Sequence, residues 1–360
     1  MISYPIRYIV LSAKEPQRFW NPAGANGGVK PEVIPGFRCL MTDVNINPTL
    51  GRYLHGTNPA VVITKGWSNW GYFTAQRYAS KKHAPVISWV CGREAGVRGV
   101  RRQARRLVDV FARKAIRNSK FVFAYGSRAQ TDAINLGAKV ENVVITKLSI
   151  DEEHFDCKSV GLSPERRAEL RRKLGFDETP LLLCISQLIE RKGIRDLLSA
   201  FDVIKNDLKF QMLLIGSGPL AESVKEFVKE NHTRCNWIPS VPYDQIQNYY
   251  AISDCFVFPT RFDVWGTVVN ESHCAKLPII CSDGAHAGYD LIKHGHSGLV
   301  YSAGNVGSLT ELMEYAVENP SKMRQMADNG YDFVQTQWNS GISARIWAKH
   351  IKSAIENNGD

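Results

Sequence analysis

Short apolar runs bounded by Pro, Gly or polar clusters recur along the chain, and stretches with apolar residues every three or four positions separate them. The first pattern predicts buried strands and the second predicts helices. In the first half, strands are predicted at 6–11, 59–64, 85–90, 121–124 and 143–146. Helices are predicted near 74–82, across the basic stretch after Arg93, and up to about 136. Residues 12–36 are rich in Pro, Gly and Asn and predict a long loop carrying Arg18, Phe19 and Trp20. In the second half, strands fit 181–186, 210–215, 255–258, 279–281 and 299–301. Helices fit 194–205, 220–231, 245–252, 267–275, 306–318 and 321–336, with a last one near 343–355. Regular strand–helix alternation predicts an α/β fold with parallel sheets covered on both faces. Ligands of such sheets sit at the carboxyl ends of the strands. The polar segment 149–180 predicts a division into a first domain, 1–150, and a second, 151–339. The final helix, about 340–360, is expected to pack back on the first domain.

A length of 360 residues leaves room for two cores of ordinary size. An apolar share of 44% with 22% charged residues belongs to the soluble globular class. No apolar run approaches the ~20 residues of a membrane span. The start, Met1-Ile-Ser-Tyr-Pro-Ile-Arg7, lacks a basic region followed by a long apolar core, so no signal peptide is expected. The eight cysteines are scattered with no Cys-x-x-Cys, which predicts reduced thiols and a cytoplasmic location. The net charge of +10 changes the picture because it is concentrated: between Arg93 and Lys120, ten Lys or Arg face two acids, Glu94 and Asp109. This reads either as a solvated helix face or as a surface for anionic lipid or a phosphate-bearing acceptor, peripheral at the inner face of the membrane. Nucleic acid is disfavoured, since no aromatics interleave with the arginines.

Candidate chemistry centres on Asp263 and Glu271. Strand 255–258, a loop holding Asp263 and Gly266, and the helix starting at Thr267 put both carboxylates at one strand end. The free N–H groups of the first helical turn, around Gly266, Thr267 and Val268, point into the same space. That is a place for an anion between two acceptors suited to hydroxyls, as a sugar phosphate or nucleotide sugar requires. The alternative is a pair of solvated surface acids. Lys192 follows the strand at 181–186 and stands beside the next helix start, where it either neutralises a diphosphate or merely solubilises a turn. Gly216 and Gly218 form a Gly-x-Gly turn after the strand at 210–215, a weak phosphate-loop signal alone. His286, His294 and His296 surround a Gly-rich segment without a fourth ligand spaced for zinc, and no Asp-x-Asp occurs; no metal is expected.

Asp263-Val-Trp-Gly266, four residues and Glu271 resemble the acidic-x7-Glu motif of glycosyltransferase family 4, retaining enzymes of the GT-B fold. Ser186-Gln-Leu-Ile-Glu-Arg-Lys-Gly193 resembles the family's Gly-Arg-Leu-x-x-x-Lys-Gly, with Gln187 in place of the usual Arg. The Gly-x-Gly-Pro turn at 216–219 and the Gly-rich segment 284–300 also have counterparts there. The resemblance spans roughly 151–300. It implies two facing Rossmann-like doubly wound domains with a cleft between them, and transfer of a hexose from a UDP- or GDP-sugar donor with retention. It further implies that Asp263 meets the sugar, Glu271 holds the ribose, and Lys192 with Gln187 contacts the diphosphate. No cofactor is implied beyond the donor substrate. The acceptor is expected to be a glycan or lipid-linked, in surface polysaccharide or glycoconjugate synthesis. The N-terminal half is similar more loosely: the family's usual first strand and glycine-rich loop have no recognisable counterpart. Trp67, Arg93 and Glu94 are acceptor-side candidates from position alone. The missing strand and Gln187 leave a second expectation open: a catalytically impaired GT-B-like protein that binds nucleotide, a partner or a membrane.

Overall fold

A computed structural model describes residues 9–10, 32–34, 37–38, 45–65, 70–92, 109–110, 112–156 and 161–357. Near the start, β1 (Ile9–Val10) pairs in parallel with β2 (Glu32–Val33), and β3 (Phe37–Arg38) pairs antiparallel with β4 (Asn45–Ile46). The main sheet of the first domain contains β5 (Val62–Lys65), β6 (Val86–Val90), β7 (Phe121–Ala124) and β8 (Val143–Ile145), all parallel and in chain order. The last helix, Ser340–Glu356, lies on this sheet. Its Trp347 meets Trp89 and Phe123 edge-on at 5.1 and 4.7 Å, and Ala354 is buried with Ile87 and Phe123.

The second domain has one six-stranded parallel sheet in the order β11-β10-β9-β12-β13-β14. These are Cys235–Ile238, Gln211–Ile215, Leu181–Ile185, Cys255–Phe258, Ile279–Ser282 and Leu299–Tyr301 respectively. Its inner strands are buried almost residue by residue, as a sheet covered on both faces requires. Strand alternation divides them between two cores. Leu181, Leu183, Leu213, Ile215, Phe256 and Phe258 enter one; Leu182, Cys184, Met212, Leu214, Cys255 and Val257 enter the other. The first of these cores is continuous with the first domain through Val90, Val122 and Ala124.

The strand order reverses between β9 and β12, the switch point at which such sheets bind ligands. Among the described residues, the reversal occurs in the second domain only. The polar stretch at the domain junction carries the helix that its sequence predicts at 165–174. Helix Pro164–Lys173 is capped by Ser163 and carries Arg171, 1% exposed, into the sheet's amino end. There the Arg171 guanidinium donates to the carbonyls of Ile252 and Asp177 and to Asp254 Oδ2 at 2.6 Å.

Several elements differ from the sequence-based expectation: the two-residue strands β2, β3 and β4 and helix Glu152–Phe155 were not anticipated, nor were three others. Strand Cys235–Ile238 went unanticipated because Asn236 and its edge position break the apolar run. Helix Leu50–Thr57 is short and contains two glycines. Helix His286–Leu291 falls in the segment read as a Gly-rich loop; Gly288 weakens its intrinsic propensity, and packing of Ala287, Gly288 and Leu291 holds it.

Candidate functional site

The loops after β9 and β12 are stitched together at the switch point. Arg191 donates to the Phe262 carbonyl at 2.6 Å, and the Arg191 carbonyl accepts from Arg261 N–H at 2.9 Å. Gly193 has φ +67, and a Cβ there would stand 2.0 Å from the Pro259 carbonyl oxygen, so only glycine lets the two strand ends approach this closely. The consequence is that Lys192 Nζ ion-pairs with Asp263 Oδ2, the two side chains being only 12% and 15% exposed. Lys192 also lies 5.4 Å above the Phe258 ring centroid. The other Asp263 oxygen accepts from Trp265 N–H at 3.3 Å. Backbone bonds from Asp263 N–H to the Gly284 carbonyl and from His286 N–H to the Asp263 carbonyl fix the loop against the segment after β13.

Gly266 follows with φ +94 and starts helix Thr267–Cys274, which no side chain caps. A Cβ at Gly266 would lie 2.6 Å from the Phe258 ring, which explains the glycine. The uncapped N–H groups of Thr267 and Val268 therefore sit at the same strand end as Lys192. One turn on, Glu271 accepts a 2.6 Å hydrogen bond from the Tyr250 hydroxyl and another from the Thr267 side chain. Burial pushes the Glu271 carboxyl up from its ordinary value, and these two bonds oppose the shift. Burial, with the Glu271 charge, likewise pushes the Tyr250 phenol up. Tyr250 is held by stacking on Phe256 at 5.4 Å. Nearby, His154 stacks on Tyr243 at 4.4 Å.

Gly216 and Gly218 lie where the turn after β10 presses on the loop after β9; a Cβ would stand 1.8 Å from the Ser186 and 2.5 Å from the Leu188 carbonyl oxygen. Gln187, between Ser186 and Leu188 in that loop, is half-buried. Lys192, Asp263, Gly266, Thr267, Val268 and Glu271 thus gather around the β9–β12 switch point, with the glycine turn and Gln187 alongside. Trp67, Arg93 and Glu94 lie outside the described residues, as do Arg18–Trp20. Of the basic stretch, 109–110 and 112–117 are described and helical, with Ala112, Ala115 and Ile116 buried; 93–108 and 111 lie outside.

Sequence reasoning passed over Arg191 and Tyr250. Nothing in Tyr249-Tyr250 distinguishes the tyrosine that reaches Glu271, and Arg191 reads as another surface charge. It expects no metal at His286, His294 and His296 and assigns His286 no other role. His286 packs edge-on against Phe262 at 5.3 Å, and burial lowers its pKa while Asp132 and Asp263 oppose that. His294 Nδ1 accepts from Val300 N–H. Among the described residues, no three His, Cys, Asp or Glu side chains are grouped to hold a metal ion. A depression of about 390 Å³ at the opposite strand ends includes Arg167, Asp254 and Lys276, whose charges pair with one another or with Asp328.

Two parallel-sheet domains of this kind, meeting along a cleft at a switch point, define the GT-B fold. The structure of Anabaena Alr3699/HepE in complex with UDP matches it with a TM-score of 0.74 at 15% identity, over 90% of this chain and 86% of that one. Sucrose-phosphate synthase from Thermosynechococcus elongatus matches with 0.69 at 17% identity, over 89% and 83%. Residues 166–333, within the second domain, match the family model described as Glycosyl transferases group 1. A GDP-mannose-dependent monoacylated alpha-(1-6)-phosphatidylinositol monomannoside mannosyltransferase of Corynebacterium glutamicum is 29% identical over 185 residues, 49% of this chain and 48% of the relative. The putative teichuronic acid biosynthesis glycosyltransferase TuaC of Bacillus subtilis is 24% identical over 65% of this chain and 56% of the relative. The chain spans about half the length of the curated relatives it matches. No described helix is long and apolar enough to cross a membrane.

Proposed function

We propose that the protein is a retaining glycosyltransferase that moves a hexose from a UDP- or GDP-sugar to a glycan or lipid-linked acceptor. The observation that carries this reading is the meeting of Lys192 and Asp263 at the switch point, beside the uncapped helix start at Gly266. The names of similar proteins support both nucleotides: one relative is GDP-mannose-dependent and one fold neighbour is a UDP complex. They also support an acceptor in surface glycan or glycolipid synthesis.

In this reading the diphosphate lies across the first turn of helix Thr267–Cys274. Lys192 has three N–H donors, so it can keep Asp263 and still meet a phosphate oxygen. As the bond from the anomeric carbon to the diphosphate oxygen breaks, negative charge grows on the leaving oxygen, where Lys192 and the helix N–H groups already point. Asp263, fixed by Trp265 N–H, orients the sugar hydroxyls, and Glu271, fixed by Tyr250, accepts from the ribose. The acceptor hydroxyl enters on the face the diphosphate leaves, without an enzyme nucleophile: its oxygen bonds to the anomeric carbon while its proton passes to the departing diphosphate oxygen. Lysine and helix supply the counter-charge, so turnover is expected to survive EDTA. The basic segment between Arg93 and Lys120 is proposed to meet an anionic membrane at the cytoplasmic face.

Gln187, which brings no charge where an Arg is usual, favours a second reading: a GT-B-like module that binds nucleotide without turnover. Incubation with a panel of UDP- and GDP-hexoses decides. Release of free nucleotide and sugar from at least one donor, abolished by Asp263→Asn, supports the enzyme; tight nucleotide binding with no release from any donor supports the module.

A further inference from the structure

The two domains meet where β6 and β7 of the first sheet end in glycine. Gly92 follows β6, and a Cβ there would stand 3.0 Å from His286 Nδ1. Gly126 follows β7, and a Cβ there would stand 2.3 Å from Asp290 Oδ2 and 2.4 Å from the Trp265 ring. Gly126 has φ −164, extended backbone open to any residue, so the constraint there is one of space rather than conformation. Both contacts are made by one short element of the second domain, helix His286–Leu291: His286 meets the first glycine and Asp290 the second.

Asp290 does more than fill a notch. Helix Ser127–Asn135 of the first domain has Gly126 at its N-cap and no side-chain cap of its own. Asp290 Oδ2 accepts the Ser127 N–H at 2.9 Å, so the second domain supplies the missing capping acceptor across the cleft. A carboxylate also suits the positive end of the helix dipole. Beside it the Arg128 guanidinium lies 3.8 Å from the Tyr289 ring centroid, a second contact across the same seam. The other end of helix His286–Leu291 is tied to the candidate site, since His286 N–H donates to the Asp263 carbonyl and Ala287 N–H to the Trp265 carbonyl.

We propose that Asp290 is a positioning residue: by capping helix Ser127–Asn135 from the opposite domain, it sets the closure that brings a sugar held at Asp263 to the acceptor side. This rests on the transferase reading above, but its geometric half stands without it. The loop 263–266, the helix 286–291 and the first domain form a series in which one link can be cut or wedged apart. Asp290→Ala cuts it from the second domain. Gly126→Ala wedges it from the first domain and leaves every side chain of the second intact.

The test combines small-angle X-ray scattering, calorimetric titration with UDP and GDP, and steady-state kinetics on wild type, Asp290→Ala, Asp290→Asn and Gly126→Ala. Both alanine variants are expected to enlarge the radius of gyration and to lower kcat about 100-fold, the scale of a misplaced reacting group. Nucleotide Kd should be unchanged, because the groups proposed to hold the nucleotide, Lys192, Glu271 and the helix start at Gly266, belong to the second domain. Asp290→Asn keeps an acceptor oxygen and should restore most of kcat. Unchanged kcat in both alanine variants, or nucleotide affinity falling in step with kcat, would overturn the proposal. If wild type turns over no donor, the transferase reading fails while the scattering still decides: equal radii for wild type and both alanine variants would sink the latch.

Discussion

The two domains use the same strand–helix alternation to different ends. The second buries both faces of a six-stranded sheet and carries Lys192, Asp263, Tyr250 and Glu271 into the cleft on side chains fixed by several partners each. The described first domain has a four-stranded sheet, leans on the C-terminal helix for part of its cover, and presents bare glycine backbone at Gly92 and Gly126. One half holds chemistry rigidly; the other is shaped to be approached. Damage around Lys192, Asp263 and Glu271 should therefore reach ligand affinity and turnover, whereas damage at the seam between the domains should reach only the encounter of donor with acceptor.

The largest expected effect on turnover comes from Lys192→Ala, which leaves Asp263 without its cation and removes charge from the leaving group. A loss of kcat of about 10²–10³-fold is expected, the scale of removing one preorganised group that stabilises developing charge. A loss below tenfold in steady-state assays would shift leaving-group stabilisation to the helix start alone. For stability the largest effect is at Arg171→Ala. It leaves the buried Ile252 carbonyl and the partly buried Asp177, Thr179 and Asp254 acceptors without this donor, Asp254 keeping Arg167, and should cost about 1–3 kcal/mol in urea unfolding.

His273 sharpens the contrast through pH. It is fully buried in helix Thr267–Cys274, and burial pulls its pKa down to about 4. Because the folded value lies below the unfolded one, the folded state gives up stability as pH falls from about 6.5 toward 4. The loss at the end of that window is roughly 3 kcal/mol, and His273→Gln should flatten it. A pH-independent unfolding midpoint in that window would contradict the burial argument. Smaller still, Glu271→Ala should weaken nucleotide binding by roughly ten- to a hundredfold through loss of a charged acceptor, read by calorimetry.

Much of the second domain was legible because its strands are continuous apolar runs and its helices amphipathic. Ile194, Leu197, Ala200, Phe201 and Ile204 lie on one face of a single helix and are all buried. The acids and the lysine were legible as types at strand ends, and the parallel topology brings those ends together. Their partners were not. Arg191, Tyr250 and Asp290 look like ordinary surface or amphipathic residues until tertiary contacts select them. Helix His286–Leu291 was read as loop for the same reason: its stability comes from packing between domains, which leaves no periodic trace in six residues. Gly126 carried no signal, since its requirement is the space taken by Asp290 and Trp265 from the other half of the chain.

The central claim is that a diphosphate is gripped between Lys192 and the start of helix Thr267–Cys274. Calorimetric titration of UDP and GDP into wild type and Lys192→Ala tests it most directly. Binding of at least one of the two by wild type, weakened about tenfold or more by the substitution, is the predicted result. Equal affinities, or no binding of either nucleotide by wild type, would contradict it.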